Sequence, residues 1–304
     1  MKVAQINSVY GFGSTGIIVR DIEQMLQKKG DTSCIIYQQA NMPVENGLCV
    51  GNPIDWKLHA FFTRVRGKQA YGSVLSTKKM LNYLGKQNPD VVHLHNLHSN
   101  YINLNILLDY LAKKNIPTVI TLHDCWFFTG KCFHFVVCGC EKWKTQCKNC
   151  PQNKEDVKSL FFDQSMRVFE DKKKYFQNIP SLTVVGCSEW MKNLAEKSPI
   201  FSGRKILRIY NGVDTNIFHY RSNQTFRKRN RLNNYFVILG MANKWLQDRN
   251  RDIFKNILNV LAEDEVIVII GCSEEQKQKL VGINKVITMG YINDRDELAD
   301  IYSS

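Results

Sequence analysis

Short β-branched runs alternate with longer amphipathic stretches along nearly the whole chain, and this alternation constrains the fold more than any other feature. Residues 3–7, 33–37, 91–95, 118–122, 183–185 and 206–209 read as strands, with helical spacing over 18–28, 102–114 and 189–197. The rhythm resumes with strands at 236–239, 266–270 and 286–289 and helices at 253–261, 274–281 and 296–302. Apolar runs bounded by turn residues and separated by helices form βαβ units, so the expectation is an α/β fold built on parallel sheet. At about 150 residues per domain, a chain of 304 residues makes two.

Several classes fall away. No apolar run approaches the ~20 residues of a membrane-spanning helix. Residues 1–7 read as a strand and lack the apolar core of a signal peptide, so the expected location is the cytoplasm. In that reducing compartment ten cysteines point to metal or special thiols rather than to a disulfide frame.

The formal net charge is +13, which implies a polyanionic partner: nucleic acid, an anionic membrane surface or a phosphorylated small molecule. Residues 201–234 hold eight basic side chains against Asp214 alone, so more than half of the excess sits there. Its Asn-rich end reads most simply as a solvated linker. Attraction to lipid headgroups is the alternative. Nucleic-acid binding rests on charge alone, with sparse aromatics and no recognition motif, and is set aside.

Three motifs carry chemistry. The first βα turn contains Gly11-x-Gly13-x-x-Gly16, where glycines let backbone N–H groups approach a phosphate at a helix N-terminus. Tyr37-Gln38-Gln39 stands where a dinucleotide-binding turn would have its acidic residue, and a close-packed turn without ligand remains open. Next come His93-Leu94-His95-Asn96-Leu97-His98 and Thr121-Leu122-His123-Asp124. These two strand ends hold four of the seven histidines, on the sheet edge where α/β proteins bind ligands. The third motif is Cys-rich: Cys125, Cys132, Cys138, Cys140, Cys147 and Cys150 follow immediately. Cys147-x-x-Cys150 supplies one thiolate pair, and Cys132 with Cys138 or Cys140 could supply another for a tetrahedral zinc. Free buried thiols and a redox pair are the alternatives.

Together the glycine loop, the two His-bearing strand ends and Tyr210-Asn211-Gly212-Val213-Asp214 followed by Phe218 resemble the family 4 glycosyltransferases. These are retaining enzymes of the GT-B fold, with two Rossmann-like domains. The Cys-rich segment is similar to a subgroup of exopolysaccharide and colanic-acid-type transferases. The resemblance, not the spacing, selects Cys132, Cys140, Cys147 and Cys150 as the structural zinc set, with Cys138 as an extra.

The resemblance implies transfer of a sugar from a nucleotide-sugar donor to a glycan acceptor, lipid-linked at the inner membrane face, with no cofactor for catalysis. It places His123 at the transferred sugar as the catalytic residue. Gly13, Gly16, Asn211, Lys244 and Arg249 fall on the donor side; His95, Asn96, His98 and Asp124 fall on the acceptor side. It divides the chain into an acceptor-side domain (1–215, with a Cys-rich insertion at 125–151), a basic linker (216–234) and a partial donor-side domain (235–304). Two departures accompany it. Asn250 stands where the family has a phosphate-holding Lys, for which Lys244, Arg249 or Arg251 would have to substitute. No Glu-x7-Glu donor motif can be assigned before Ser304, so the expectation is an incomplete second domain and weak or absent activity in this form. The competing expectation is a non-catalytic remnant that binds a glycan or a membrane surface.

Overall fold

A computed structural model of the chain describes residues 1–222, 224–246 and 251–304. It is α/β throughout and divides into two compact units, Met1–Asn211 and Gly212–Ser304.

The first unit holds seven strands: β1 (Lys2–Tyr10), β2 (Thr32–Ala40), β3 (Gly47–Cys49), β4 (Val91–Leu94), β5 (Thr118–Leu122), β6 (Leu182–Gly186) and β7 (Lys205–Arg208). Their order is β3-β2-β1-β4-β5-β6-β7 and every pairing is parallel. Six helices connect them: α1 (Gly13–Lys28), α2 (Pro53–Arg66), α3 (Val74–Gln87), α4 (Leu104–Lys113), α5 (Ser165–Gln177) and α6 (Glu189–Lys197). Parallel pairing puts all the carboxyl ends on one edge. The order reverses between β1 and β4, which opens the crevice where α/β sheets take ligands.

Local sequence fixes the helix ends. Asn52, Asn103 and Ser188 each accept backbone N–H groups in the first turns of α2, α4 and α6. In α4 the spacing of Leu104, Leu107, Leu108 and Leu111 puts all four leucines on the buried face.

Among its described residues the second unit has three parallel strands, β8 (Phe236–Met241), β9 (Glu265–Ile270) and β10 (Val286–Thr288), in the order β10-β9-β8. Its helices are α7 (Thr225–Arg229), α8 (Ala242–Trp245), α9 (Arg251–Val260), α10 (Glu274–Leu280) and α11 (Arg295–Tyr302). Central β9 is apolar on both faces. Val266, Val268 and Ile270 pack with Phe226, Leu232 and Ile301, while Ile267 and Ile269 pack with Ala242, Phe254 and Leu280.

The stretch expected to be a solvated linker, 216–234, belongs to this unit, and the boundary falls at Asn211/Gly212 rather than after residue 215. Phe226 and Leu232 are its anchors in the core. The Phe226 N–H donates to Asp300 at 2.8 Å, and the Arg221 guanidinium pairs with Asp296 at 2.7 Å, so the segment lies along α11. Among the described residues no helix is long and apolar enough to cross a membrane.

Candidate active site

β4 and β5 are neighbours with Leu94 opposite Ile120. The chain leaving β4 stays tied to β1: the His95 N–H donates to Ile6 O at 2.9 Å, and the Asn96 N–H to Asn7 Oδ1 at 3.0 Å. The two histidine-bearing strand ends therefore meet beside the crevice. His95 Nδ1 and His123 Nε2 are 3.0 Å apart, with rings stacked at 5.3 Å between centroids. His93 closes the row, its ring 4.0 Å from that of His95 and its Nε2 2.8 Å from Thr121 Oγ1.

All three rings are neutral near pH 7. Burial holds His93 and His123 at a pKa of about 4, and holds His95 well below its usual value. One proton lies between His95 Nδ1 and His123 Nε2. His95 Nε2 is buried and meets no hydrogen-bond partner among the described residues. An orphaned buried acceptor is more tolerable than an orphaned N–H. The favoured arrangement is therefore His95 Nδ1–H donating to His123 Nε2, which leaves His123 Nδ1 as an N–H donor.

His98 and Asp124 are engaged with each other. His98 Nε2 lies 2.9 Å from Asp124 Oδ2, and Asp124 Oδ1 accepts the Trp126 N–H at 2.8 Å. Burial opposes ionisation of Asp124, but these hydrogen bonds and the nearby histidines outweigh it and hold the carboxyl below its usual range. The pair locks the turn after β5 to the chain after β4. Asn96 adds a backbone carbonyl that accepts the Tyr101 hydroxyl.

The glycine loop lies at the carboxyl end of β1. Gly13 has φ of +62° and opens α1, whose N-cap Phe12 supplies no side-chain acceptor and whose first turn has no acidic residue. A Cβ on Gly13 would meet nothing within 4 Å, so space lies open before uncapped N–H groups. Gly16 is a packing position: a Cβ there would stand 3.2 Å from the Val9 backbone, against which α1 lies.

Beside this loop opens a cavity of about 530 Å³ lined by Phe12, Tyr37, Gln38, Gln39, Ala40, Asn41, Met42, Cys49 and Trp56. Sequence reading noted Tyr37-Gln38-Gln39 only for a missing carboxylate. Asn41 and Trp56 were missed, and the signal available was the run of amides at the carboxyl end of β2.

The remaining expected donor residues fall at the end of the first unit, in the second unit, or outside the described residues. Asn211 is exposed at the end of the first unit. Lys244 is exposed on α8 of the second. Arg249 and Asn250 fall outside the described residues.

In the Cys-rich segment, Cys132, Cys140, Cys147 and Cys150 all line one cavity of about 10 Å³, together with Lys131 and Trp143. The Gly130 N–H donates to Cys147 Sγ at 3.2 Å. Burial pushes the thiols of Cys132 and Cys147 up to about 12. Cys138 stands apart, exposed, with its thiol on Phe135 O. Among the described residues no three His, Cys, Asp or Glu side chains are grouped closely enough to hold a metal ion. Lys172, buried on α5, donates to Trp126 O and Thr129 O and so ties the start of the segment to that helix.

The family model for glycosyltransferase family 4 matches residues 15–217, more than half of the chain, including both histidine-bearing strands. The chain belongs to glycosyltransferase family 4. The Escherichia coli K12 protein WcaC, whose name assigns it to colanic acid biosynthesis as a glycosyl transferase, is 37% identical over 106 residues, 33% of this chain and 24% of that protein. The chain thus spans about a quarter of the length of the curated relative it matches. Among solved structures, Anabaena Alr3699/HepE in complex with UDP-glucose superposes with a TM-score of 0.54 at 13% identity, covering 99% of this chain and 71% of that one. WaaG, a glycosyltransferase involved in lipopolysaccharide biosynthesis, gives 0.53 at 12%, covering 98% and 72%. At such identities the likeness concerns the fold, which is of the GT-B type expected for the family.

Proposed function

We propose that the chain acts as a retaining glycosyltransferase, moving a sugar from a nucleotide-sugar donor to a lipid-linked glycan in surface polysaccharide assembly. The observation that carries this reading is the neutral His95–His123 pair at the crevice of the sheet, beside the uncapped N-terminus of α1. A departing nucleoside diphosphate needs fixed N–H dipoles where its charge develops, and α1 offers them with no acidic side chain in its first turn.

With a pKa of about 4, His123 is a weak base and carries no charge at neutral pH. Its role is that of an oriented hydrogen-bonding group on the transferred sugar, held in one tautomer by His95. The cavity beside the glycine loop suits the acceptor. Amides at Gln38, Gln39 and Asn41 match sugar hydroxyls, and the Tyr37 and Trp56 rings match the apolar faces of a pyranose. The likeness to WcaC supports polysaccharide assembly as the process, and the UDP-glucose bound by HepE makes UDP-sugars the first donors to try.

The test is a donor screen with UDP- and GDP-sugars, reading bound nucleotide and released nucleoside diphosphate. His123→Ala should lower release by about 10²-fold or more, the scale of one well-placed polar group in a transition state. Nucleotide sugars that neither bind nor turn over would overturn the reading, as would a His123→Ala variant as active as the parent.

The Cys-rich segment is proposed to be a structural zinc loop outside the chemistry, through Cys132, Cys140, Cys147 and Cys150. Their shared cavity supports it, and the four thiols would have to draw closer together than they stand to close on a metal ion. Elemental analysis of reductively purified protein should find about one zinc per chain. Absence of zinc together with rapid alkylation of Cys147 and Cys150 would dismiss it.

A further inference from the structure

A second cavity of the first unit lies between the end of α2 and the loop that leads into α5. It measures about 430 Å³ and is walled by Phe62 and Arg66 of α2, Lys68 and Tyr71 beyond it, and Phe162 and Gln164 of the loop. That volume is in the range of sites for small organic ligands. Hydrogen bonds fix its walls. His59, 2% exposed, accepts the Gly72 N–H on Nε2 at 3.1 Å, and its Nδ1 is 2.9 Å from Ser73 Oγ. A Cβ on Gly72 would stand 2.6 Å from the His59 ring, so the backbone rests on the imidazole. The loop is fastened too: the Leu160 N–H donates to Arg64 O at 2.8 Å, and the Ser159 hydroxyl to Phe162 O at 2.6 Å.

Among the described residues two cations line this cavity and no acidic side chain does. Arg66 lies over the Phe62 ring at 4.8 Å and Lys68 over the Tyr71 ring at 5.5 Å. A ring face orients a cation without neutralising it. Tyr71 donates its hydroxyl to Asp171 at 2.6 Å, and that carboxylate also faces Arg167 at 3.7 Å. What the cavity offers a ligand is a guanidinium, an ammonium, the Gln164 amide and aromatic faces. The cations suit a carboxylate through charge-assisted hydrogen bonds, the amide suits hydroxyls, and the rings suit the apolar face of a pyranose. A nucleoside diphosphate, by contrast, already has the uncapped N–H groups of α1.

The cavity stands on the same edge of the sheet as the histidines. Helices α3 and α5 each run back to the start of the next strand, β4 and β6, so their first residues, Val74 and Ser165, lie at the carboxyl edge. Two contacts join the places. The Gln69 side-chain amide donates to His98 O, and Thr63 Oγ1 donates to Asn100 Oδ1 at 2.8 Å. Lys68 is thus the sequence neighbour of a residue that touches the histidine segment.

We propose that this cavity is a subsite for an acidic sugar of the glycan acceptor, in which Arg66 and Lys68 take the carboxylate of a uronic acid and select it over a neutral sugar. The choice of a sugar rests on the transferase reading. The test measures binding without donor or turnover, so the two fail separately.

The experiment titrates the full chain with p-nitrophenyl β-D-glucuronide and with p-nitrophenyl β-D-glucoside, following the ligand resonances by nuclear magnetic resonance. The two probes differ only in the carboxylate. The glucuronide should bind about tenfold more tightly, with a preference that shrinks as salt is raised. Arg66→Gln and Lys68→Gln should each lower its affinity about threefold, and together abolish the preference while leaving the glucoside unchanged. Lys57→Gln, which removes a cation of α2 that does not line the cavity, should change neither affinity. Far-ultraviolet circular dichroism checks that the variants fold, and the comparison of the two probes on the parent chain needs no variant. Equal affinities for the two probes would overturn the proposal, as would a preference that survives the double substitution. Displacement of the glucuronide by an equal concentration of inorganic phosphate would also overturn it, since the cavity would then be a general anion site.

Discussion

Helices α2 and α4 belong to the same unit and obey the same local rules, yet they face opposite ways. Both are capped by an asparagine, Asn52 or Asn103, and both carry apolar side chains at helical spacing. Helix α4 turns Leu104, Leu107, Leu108 and Leu111 into the core and leaves Asp109 and Lys113 outside, paired at 2.7 Å. Helix α2 turns His59 and Thr63 inwards, packs Trp56 against the core and leaves Ile54, Leu58, Phe61 and Phe62 in water. A helix therefore does not always bury its apolar stripe; where neighbours offer enough polar partners, hydrogen bonds set the orientation.

The largest effect that separates the two helices is a core deletion. Leu107 is fully buried in α4, so Leu107→Ala should cost about 2–5 kcal/mol, from lost transfer energy and the cavity left behind. The matched change in α2, Leu58→Ala, should cost under about 0.5 kcal/mol, because Leu58 is half in water already. Urea unfolding with an unchanged m-value measures both. Equal costs would mean that the face of α2 is not free in the isolated protein.

The next effect is acid sensitivity, which should appear in α2 before α4. Burial lowers His59 to a pKa of about 4, from the usual 6.5. Its Nε2 accepts the Gly72 N–H, so protonation there sets two hydrogens against each other. Since the folded pKa is the lower one, the unfolded chain takes up the proton first. The contribution of His59 is complete above pH 6.5 and is lost as pH falls from 6.5 to 4, amounting to about 3 kcal/mol. Amide exchange, corrected for its intrinsic pH dependence, should show protection falling over that window in α2 before α4. Loss at the same rate in both helices would indicate that the buried His93 and His123 govern a global transition instead.

The same contrast explains what the sequence made legible. Strands β1, β2, β4, β5 and β6 stand out as β-branched runs because both their faces are buried. Helix α4 stands out because its leucines repeat at i, i+3 and i+4. Helix α2 did not, since its apolar stripe, Ile54, Leu58, Phe61 and Phe62, is on the exposed side, Trp56 lies opposite it, and its inner residues His59 and Thr63 are polar. The pairing of His95 with His123 was legible in outline, as two histidines at strand ends, but their contact depends on β4 and β5 being neighbours. Even less legible was the cavity lined by Trp56 and Asn41, which needs the fold of α2 against β2 and the glycine loop. At residues 216–234 composition misled, because two apolar anchors, Phe226 and Leu232, were enough to fold a basic, Asn-rich stretch into the second unit.

The smallest predicted effect is the most discriminating. Phe61→Ser should change stability by no more than about 0.5 kcal/mol, since a side chain that is 59% exposed has little burial to lose. Thermal unfolding of the monomer checks this, at a concentration where sedimentation shows no self-association. A loss above about 1 kcal/mol would require the ring to be covered in the free protein, and the outer face of α2 would then be an interior contact rather than a free surface. A loss near zero separates a side chain that stands free in the folded protein, as Phe61 does, from one kept for folding, as Leu107 is.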